Sequence, residues 1–303
     1  MAHAHDHDHQ DGHHHHAHAP ATGNLALAFL LNLAFTAVEV VGGLWTDSMA
    51  VLSDAFHDLG DALVLGAAWY LSRLAGKGRD SGYTYGYGRY AMLGGWLTSV
   101  VLIVGSIVLL VSTVLRMNDA HQPHITGMLV LAVFGIAMNG LAAWKLHGGA
   151  SLNERGAYLH LMEDVLGWAA VLFGAVVMHF TGWTVVDPIL SIGINLFVLY
   201  NAIGTFRIGT RILMQRLPEG FDEQRITDAL RALPDVTGTH DQHAWTLDGT
   251  YVVLTVHVQV DTDDPERQRA VKQAARAVLT ELGVDHATIE IERRGEACSL
   301  MLH

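Results

Sequence analysis

Two short segments hold the residues whose types and spacing could do chemistry: His57-Asp58-Leu59-Gly60-Asp61 and His160-Leu161-Met162-Glu163-Asp164. Each sets an imidazole and a carboxylate four residues apart inside an apolar run. On a helix, such residues lie about 40° apart and share a face. Two helices that each present one pair can close a tetrahedral shell of His57, Asp61, His160 and Asp164. Nitrogen and oxygen donors in that arrangement suit Zn2+. The same shell accepts Co2+ or Cd2+, and affinity order alone excludes no other divalent ion. Asp54 falls in the same arc and suits a place beside the ligands or on an entry path. Asp58 is turned about 100° from His57 and is expected to point elsewhere. The alternative is two unrelated polar pairs, each hydrogen-bonded within a helix bundle; the repeated spacing speaks against it. No serine-histidine or cysteine nucleophile pattern competes.

These residues need helices to position them, and the composition provides apolar ones. The chain has 303 residues, 50% hydrophobic and 16% charged, against about 25% charged in an ordinary soluble domain. Six runs, 24–45, 50–72, 91–116, 124–146, 156–180 and 184–210, meet the length of about 20 residues that a bilayer core requires. Buried helices of a soluble protein would leave too little polar face for water. Loops after spans two and four, with the end of span six, hold Arg73, Lys77, Arg79, Arg89, Lys145, Arg155, Arg207, Arg211 and Arg216; the opposite loops hold Arg116 alone. That asymmetry predicts both termini in the cytoplasm. Three regions follow: a histidine-rich tail over 1–22, a six-helix membrane domain over 23–213, and a polar domain over 214–303. The formal charge of −12 argues against nucleic acid as a partner. The first 20 residues are polar, unlike a secretory signal, and carry nine of the 20 histidines; they read as a flexible metal collector.

Beyond Leu217 the pattern changes. FDEQRITDALRALP reads as an amphipathic helix, and VTGTHDQHAWTL and TYVVLTVHVQVD as two strands joined at Asp248-Gly249-Thr250. PERQRAVKQAARAVLTELG reads as a second helix and VDHATIEIER as a third strand. The order αββαβ predicts a small antiparallel sheet with helices on one face. Among remaining polar groups, Glu39 in span one suits proton movement or pairing with another helix. Asp187, beside Pro188, suits capping of span six. His243 is expected to pack or hydrogen-bond near Trp245.

The paired HxxxD motifs in spans two and five, TYGYGR before span three and DPIL opening span six resemble the cation diffusion facilitator family, over roughly residues 24–295. The resemblance implies a homodimeric secondary transporter, not an enzyme, that exports Zn2+ or a related divalent ion in exchange for protons. It implies a multi-pass protein of a bacterial inner membrane and a ferredoxin-like C-terminal domain. It places the transport site on His57, Asp61, His160 and Asp164, a combination similar to zinc-type members. It also implies a second, regulatory zinc site in the C-terminal domain at His240, His257 and Glu290, with Cys298 and His303 within reach. The chain departs from the family in places. The loop after span two has Asp80 as its one acid and no histidine, so no metal site is expected there. The loop after span four keeps His147 alone, and Met92 stands where the family has an acid after TYGYGR.

Imidazole binds metal when neutral and carboxylate when ionised, so loading releases protons, and imidazole titrates near physiological pH. Two other functions remain open: a membrane-anchored metal sensor and an intramembrane zinc protease. The protease would need a water-activating HExxH glutamate, which the chain lacks.

Overall fold

The computed structural model describes residues 22–75, 79–117, 123–146, 152–296 and 298, with side chains for all of these except 22–28, 65, 68–69, 71–73, 75, 91, 142, 145–146 and 152–160. The histidine-rich tail, His147 and His303 lie outside the described residues.

The apolar runs form six long helices: α1 (Thr22–Thr46), α2 (Met49–Ala75), α3 (Gly88–Arg116), α4 (Ile125–Leu146), α5 (Leu152–Thr181) and α6 (Val186–Leu213). Four contain stretches long and apolar enough to cross a membrane: Phe29–Thr46, Gly88–Arg116, Leu161–Thr181 and Val186–Leu213. α2 is comparably long, but its apolar run is interrupted by Asp54, Asp58 and Asp61. It sits against α1, α3, α5 and α6, and Asp54 and Asp58 are buried against these neighbours. That position is what makes acids in a membrane helix tolerable. Meanwhile Leu30, Leu31, Val41, Val104, Val108, Phe173 and Phe180 face outward, as lipid contact requires.

Close helix approaches hold α2 in place. A Cβ on Gly105 of α3 would sit 1.8 Å from the ring of Phe56, and one on Gly60 of α2 2.6 Å from Leu102. Both glycines let α3 and α2 pack backbone against side chain. On the far side, Trp168 of α5 fills the space beside Gly135 of α4 and joins Ala50, Val51, Met128, Val171 and Met178 in the bundle core.

Asp187 does something other than what its position beside Pro188 suggests. It accepts hydrogen bonds from Ser48 Oγ at 2.5 Å and from the backbone N–H groups of Met49 and Ala50 at 2.8 and 3.3 Å. It therefore caps α2 across the bundle, while α6 has no side-chain cap. The free N–H groups of a helix start are obligatory donors, and those of α2 lie within reach of α6. Ser48 Oγ in turn accepts from Val51 N at 3.1 Å.

The C-terminal domain has α7 (Glu223–Arg231), β1 (Val236–Thr246), β2 (Val252–Val260), α8 (Pro265–Glu281) and β3 (His286–Arg293). Asp222 and Asp264 cap the two helices by accepting from Arg225 N and Glu266 N. The strand order is β1-β2-β3, and the sheet is mixed, not antiparallel as expected. β1 and β2 run antiparallel, whereas β3 runs parallel to β2. The reason is α8: a helical crossover returns the chain to the starting edge, so the next strand enters in the same direction. Ile226, Leu230, Leu254, Val256, Val258, Val271, Leu279 and Ile289 form the core between sheet and helices.

The loop before α3 meets this domain. The ring of Tyr85 lies 5.4 Å from that of His286 at the start of β3. Asp80 accepts from Gly82 N at 2.8 Å, Tyr83 N at 2.7 Å and Tyr87 Oη at 2.5 Å. It is a turn-forming residue here, and its hydrogen bond is the main cause that pushes the Tyr87 phenol up to about 12.

Candidate metal centres

The first centre lies between α2 and α5. One ligand atom each from His57, Asp61 and Asp164 falls within 4.8 Å of the others. His57 Nε2 and Asp61 Oδ2 are 3.7 Å apart, as i and i+4 on one helix face. Asp164 is 7% exposed. His160 stands one turn before Asp164 on α5, and its side chain lies outside the described residues. His57 Nε2 is buried and makes no hydrogen bond, although a buried ring nitrogen normally finds a partner. A nitrogen so placed, facing two carboxylates, has the chemistry of a metal donor.

Around these groups the bundle is shaped to hold them. Phe197 of α6 meets the His57 ring edge-on at 6.4 Å. Asp54 is 4% exposed, and its Oδ1 lies 3.0 Å from where a Cβ on Gly167 would stand. The carboxylate thus points at α5 one turn beyond Asp164, on the same side as the ligands. Asp58 is also buried, but turned toward Glu39 of α1. The helix geometry that separates it from His57 sends it to the α1 side.

The second centre is in the sheet. Ligand atoms of His240, His257, Glu292 and Cys298 lie within 4.8 Å of one another. His240 and His257 face each other across the β1–β2 pair, with rings 5.2 Å apart. Glu292 bridges them: Oε1 is 2.7 Å from His257 Nδ1 and Oε2 is 3.1 Å from His240 Nε2. Cys298 Sγ lies 3.6 Å from His257 Nδ1.

Glu290, chosen from the sequence, pairs with His257 in the strand register but is 61% exposed, its carboxylate 3.5 Å from His257 Nε2. Glu292, passed over in the sequence, takes the enclosed place. The two glutamates sit on the same face of β3, two residues apart; only the packing around them distinguishes them. The signal available was the alternation Ile289-Glu290-Ile291-Glu292, which marks both and chooses neither.

A β1 irregularity also shapes this centre. The register steps from His240↔His257 to His243↔Thr255, and Asp241 adopts a φ of 49°. One extra residue bulges out, in a conformation that aspartate tolerates better than most residues. The bulge brings Asp241 Oδ2 to 3.5 Å from His257 Nε2, and Asp241 Oδ1 to 3.1 Å from His243. His243 itself is largely exposed and partners Asp241.

Below the sheet, Asp248 holds the β1–β2 turn. Burial pushes its carboxyl up, but hydrogen bonds from Tyr251 N, Thr250 N and Thr250 Oγ1 outweigh that and hold it below the usual carboxylate range.

Apolar helices packed as a bundle, with a histidine-carboxylate cluster buried between two of them and a second at the sheet, define an integral membrane protein built to handle metal ions. The chain belongs to the cation efflux (cation diffusion facilitator) family: residues 25–214 match the family's cation efflux transmembrane domain and residues 218–294 its cytoplasmic domain. It is 32% identical over 271 residues to the metal cation efflux system protein CzcD of Cupriavidus metallidurans, covering 89% of this chain and 86% of that one. It is 30% identical to the cadmium, cobalt and zinc/H(+)-K(+) antiporter of Bacillus subtilis, covering 88% of each chain. With the zinc transporter ZitB of Escherichia coli it shares 31% identity, over 88% of this chain and 86% of that protein.

Proposed function

We propose that this protein exports Zn2+ in exchange for protons, with His57, Asp61, His160 and Asp164 as the transport site. The observation that carries the reading is the convergence of His57, Asp61 and Asp164 within 4.8 Å in the bundle interior, with His160 in the following-pair position on α5. Two imidazoles and two carboxylates make a neutral shell around a divalent ion, which lowers the cost of holding that ion away from water. Three of the relatives above fit this reading: one is named a zinc transporter, one a cadmium, cobalt and zinc antiporter, and one a metal cation efflux protein.

Exchange follows from ligand chemistry. Neutral imidazole and ionised carboxylate bind the ion, and protons compete for the same lone pairs. With the site open to the cytoplasm the ion displaces protons. With it open to the other face, protonation releases the ion. Such alternation needs two arrangements of the helices that carry the ligands, and α2, in contact with four neighbours, is the element whose movement would reach them all. Co2+ and Cd2+ suit the same donors.

The working unit in this reading is a homodimer in a bacterial inner membrane, joined through the C-terminal domain, with both termini cytoplasmic. His240, His257, Glu292 and Cys298 then hold a regulatory zinc ion, with Glu290 at the edge of that site. The test is uptake into everted vesicles under an imposed pH gradient, with Zn2+ competed by Cd2+, Co2+, Mn2+ and Fe2+. The expected result is Zn2+ uptake coupled to proton efflux that H57A combined with D164A abolishes. Zinc-dependent proton flux that survives the double substitution would sink the proposal.

A further inference from the structure

Glu39 is the one ionisable residue in α1, and nothing in the transport site as described uses it. It is 1% exposed, and its carboxyl sits beside that of Asp58. The groups around it are Asp58 and Asp54 of α2 and Asp164 of α5. Besides α2, α1 packs on α4, whose single titratable residue is Lys145 in its last turn. A buried carboxyl group set among other acids, with the Asp58 carboxyl beside it, is neutralised by a proton or by a cation that comes and goes. The compact group of metal-ligating atoms is His57, Asp61 and Asp164, and Glu39 is outside it. A proton is therefore the cation that suits Glu39.

Its level in the bundle gives that proton a use. Glu39 is seven residues from the end of α1 at Thr46, about 10 Å along the helix. Asp61 is twelve residues into α2 from Met49, about 18 Å from the same face. The Glu39 carboxyl thus lies nearer than Asp61 to the end of the bundle where α1 turns into α2, and about level with His57, which is eight residues, about 12 Å, into α2. Asp58 lies between those levels on α2, and Asp54, five residues from Met49, lies about 8 Å from that end. At that end a small cavity of about 90 Å³ opens among Asp47, Met49, Arg116 and Asp187. Along the helices that cavity is nearer to Glu39 than to Asp61.

We propose that Glu39 is a proton-carrying residue of the exchange cycle, separate from the metal ligands. When the metal ion leaves the shell toward that face, a proton from water bonds to a Glu39 oxygen and replaces part of the lost positive charge. When the next ion binds from the opposite side, its charge favours loss of that proton to water on that opposite side, so that the proton crosses as the ion is exchanged. Asp58, turned to Glu39 rather than to His57, keeps the two acids close enough to feel the same ion. The inference rests on metal/proton exchange as proposed above.

The experiment uses the full-length protein in proteoliposomes, with zinc and proton fluxes recorded together and zinc binding measured separately by equilibrium titration. In E39Q, zinc affinity is expected within about threefold of the wild type, because no ligand is lost, while about one proton fewer moves per ion. E39D is expected to keep the wild-type proton count. An unchanged proton count in E39Q overturns the inference and leaves the exchange itself intact. No proton flux in the wild type overturns the exchange reading instead. If E39Q moves nothing, restored coupled flux in E39D supports the inference. Failure of both variants would make Glu39 a packing residue and end the proposal.

Discussion

Both histidine-carboxylate clusters of this protein share imidazole and carboxylate donors, yet they differ in how the chain assembles them. In the bundle, His57 and Asp61 are brought together by helix periodicity, and a second helix supplies Asp164. In the sheet, His240, His257 and Glu292 come from three different strands and meet through pairing across them, with Cys298 following β3. A helix repeats every 3.6 residues and tells the reader which neighbours share a face. A strand says only that alternate residues share one. Which strand lies beside it, in what direction and register, is settled elsewhere in the chain.

That comparison is broken most sharply by two neighbouring aspartates. Asp61→Asn is expected to lower zinc transport in vesicles by about 100-fold, at the strong end of what losing a group at a metal site costs. Asp58→Asn, on the α1 side of the same helix, is expected to retain zinc binding within a fewfold. Equal losses in binding titrations would show that the two faces of α2 do not divide the labour.

In the sheet the corresponding pair is Glu292 and Glu290. Glu292→Gln is expected to weaken zinc binding at the C-terminal site by about 10- to 100-fold, and Glu290→Gln by about twofold or less. Zinc titration of the full-length protein in detergent, with the transport site silenced by H57A and D164A, reads both. A larger loss at Glu290 would return the site to the assignment that the sequence suggested.

The smallest effect belongs to Asp248, which positions the turn between the strands that carry His240 and His257. Asp248→Asn is expected to cost about 1 kcal/mol at neutral pH through weakened turn hydrogen bonds. Its carboxyl is held below the ordinary range, so folding favours the ionised form. That contribution is complete above the unfolded carboxylate value of about 3.9 and is lost as pH falls through the lower folded value. Thermal melts of wild type and variant should therefore converge on acidification. A gap that persists would show that Asp248 acts through packing alone.

Much of the bundle was legible because each helix announces itself locally. Length and apolarity mark α1, α3, α5 and α6, and the HxxxD spacing marks His57 and Asp61 as sharing a helix face. α2 was legible for the opposite reason: its acids are too costly to place in lipid without a purpose. Less legible were the contacts made across the bundle. Asp187 lies in the first turn of α6, where a local cap is the natural expectation, but it serves the N-terminus of α2. In the C-terminal domain the element order was readable, and the parallel placement of β3 was not.

By itself, the sequence determined where helices and strands form and that His57 and Asp61 face one way, because these follow from local periodicity and the cost of burying charge. It also determined that Asp58 must face another way. Only the tertiary structure decided what Asp58 meets, which is Glu39, and which glutamate the sheet encloses, which is Glu292. Those outcomes depend on the proximity of residues far apart in the chain. No local rule of spacing carries that information.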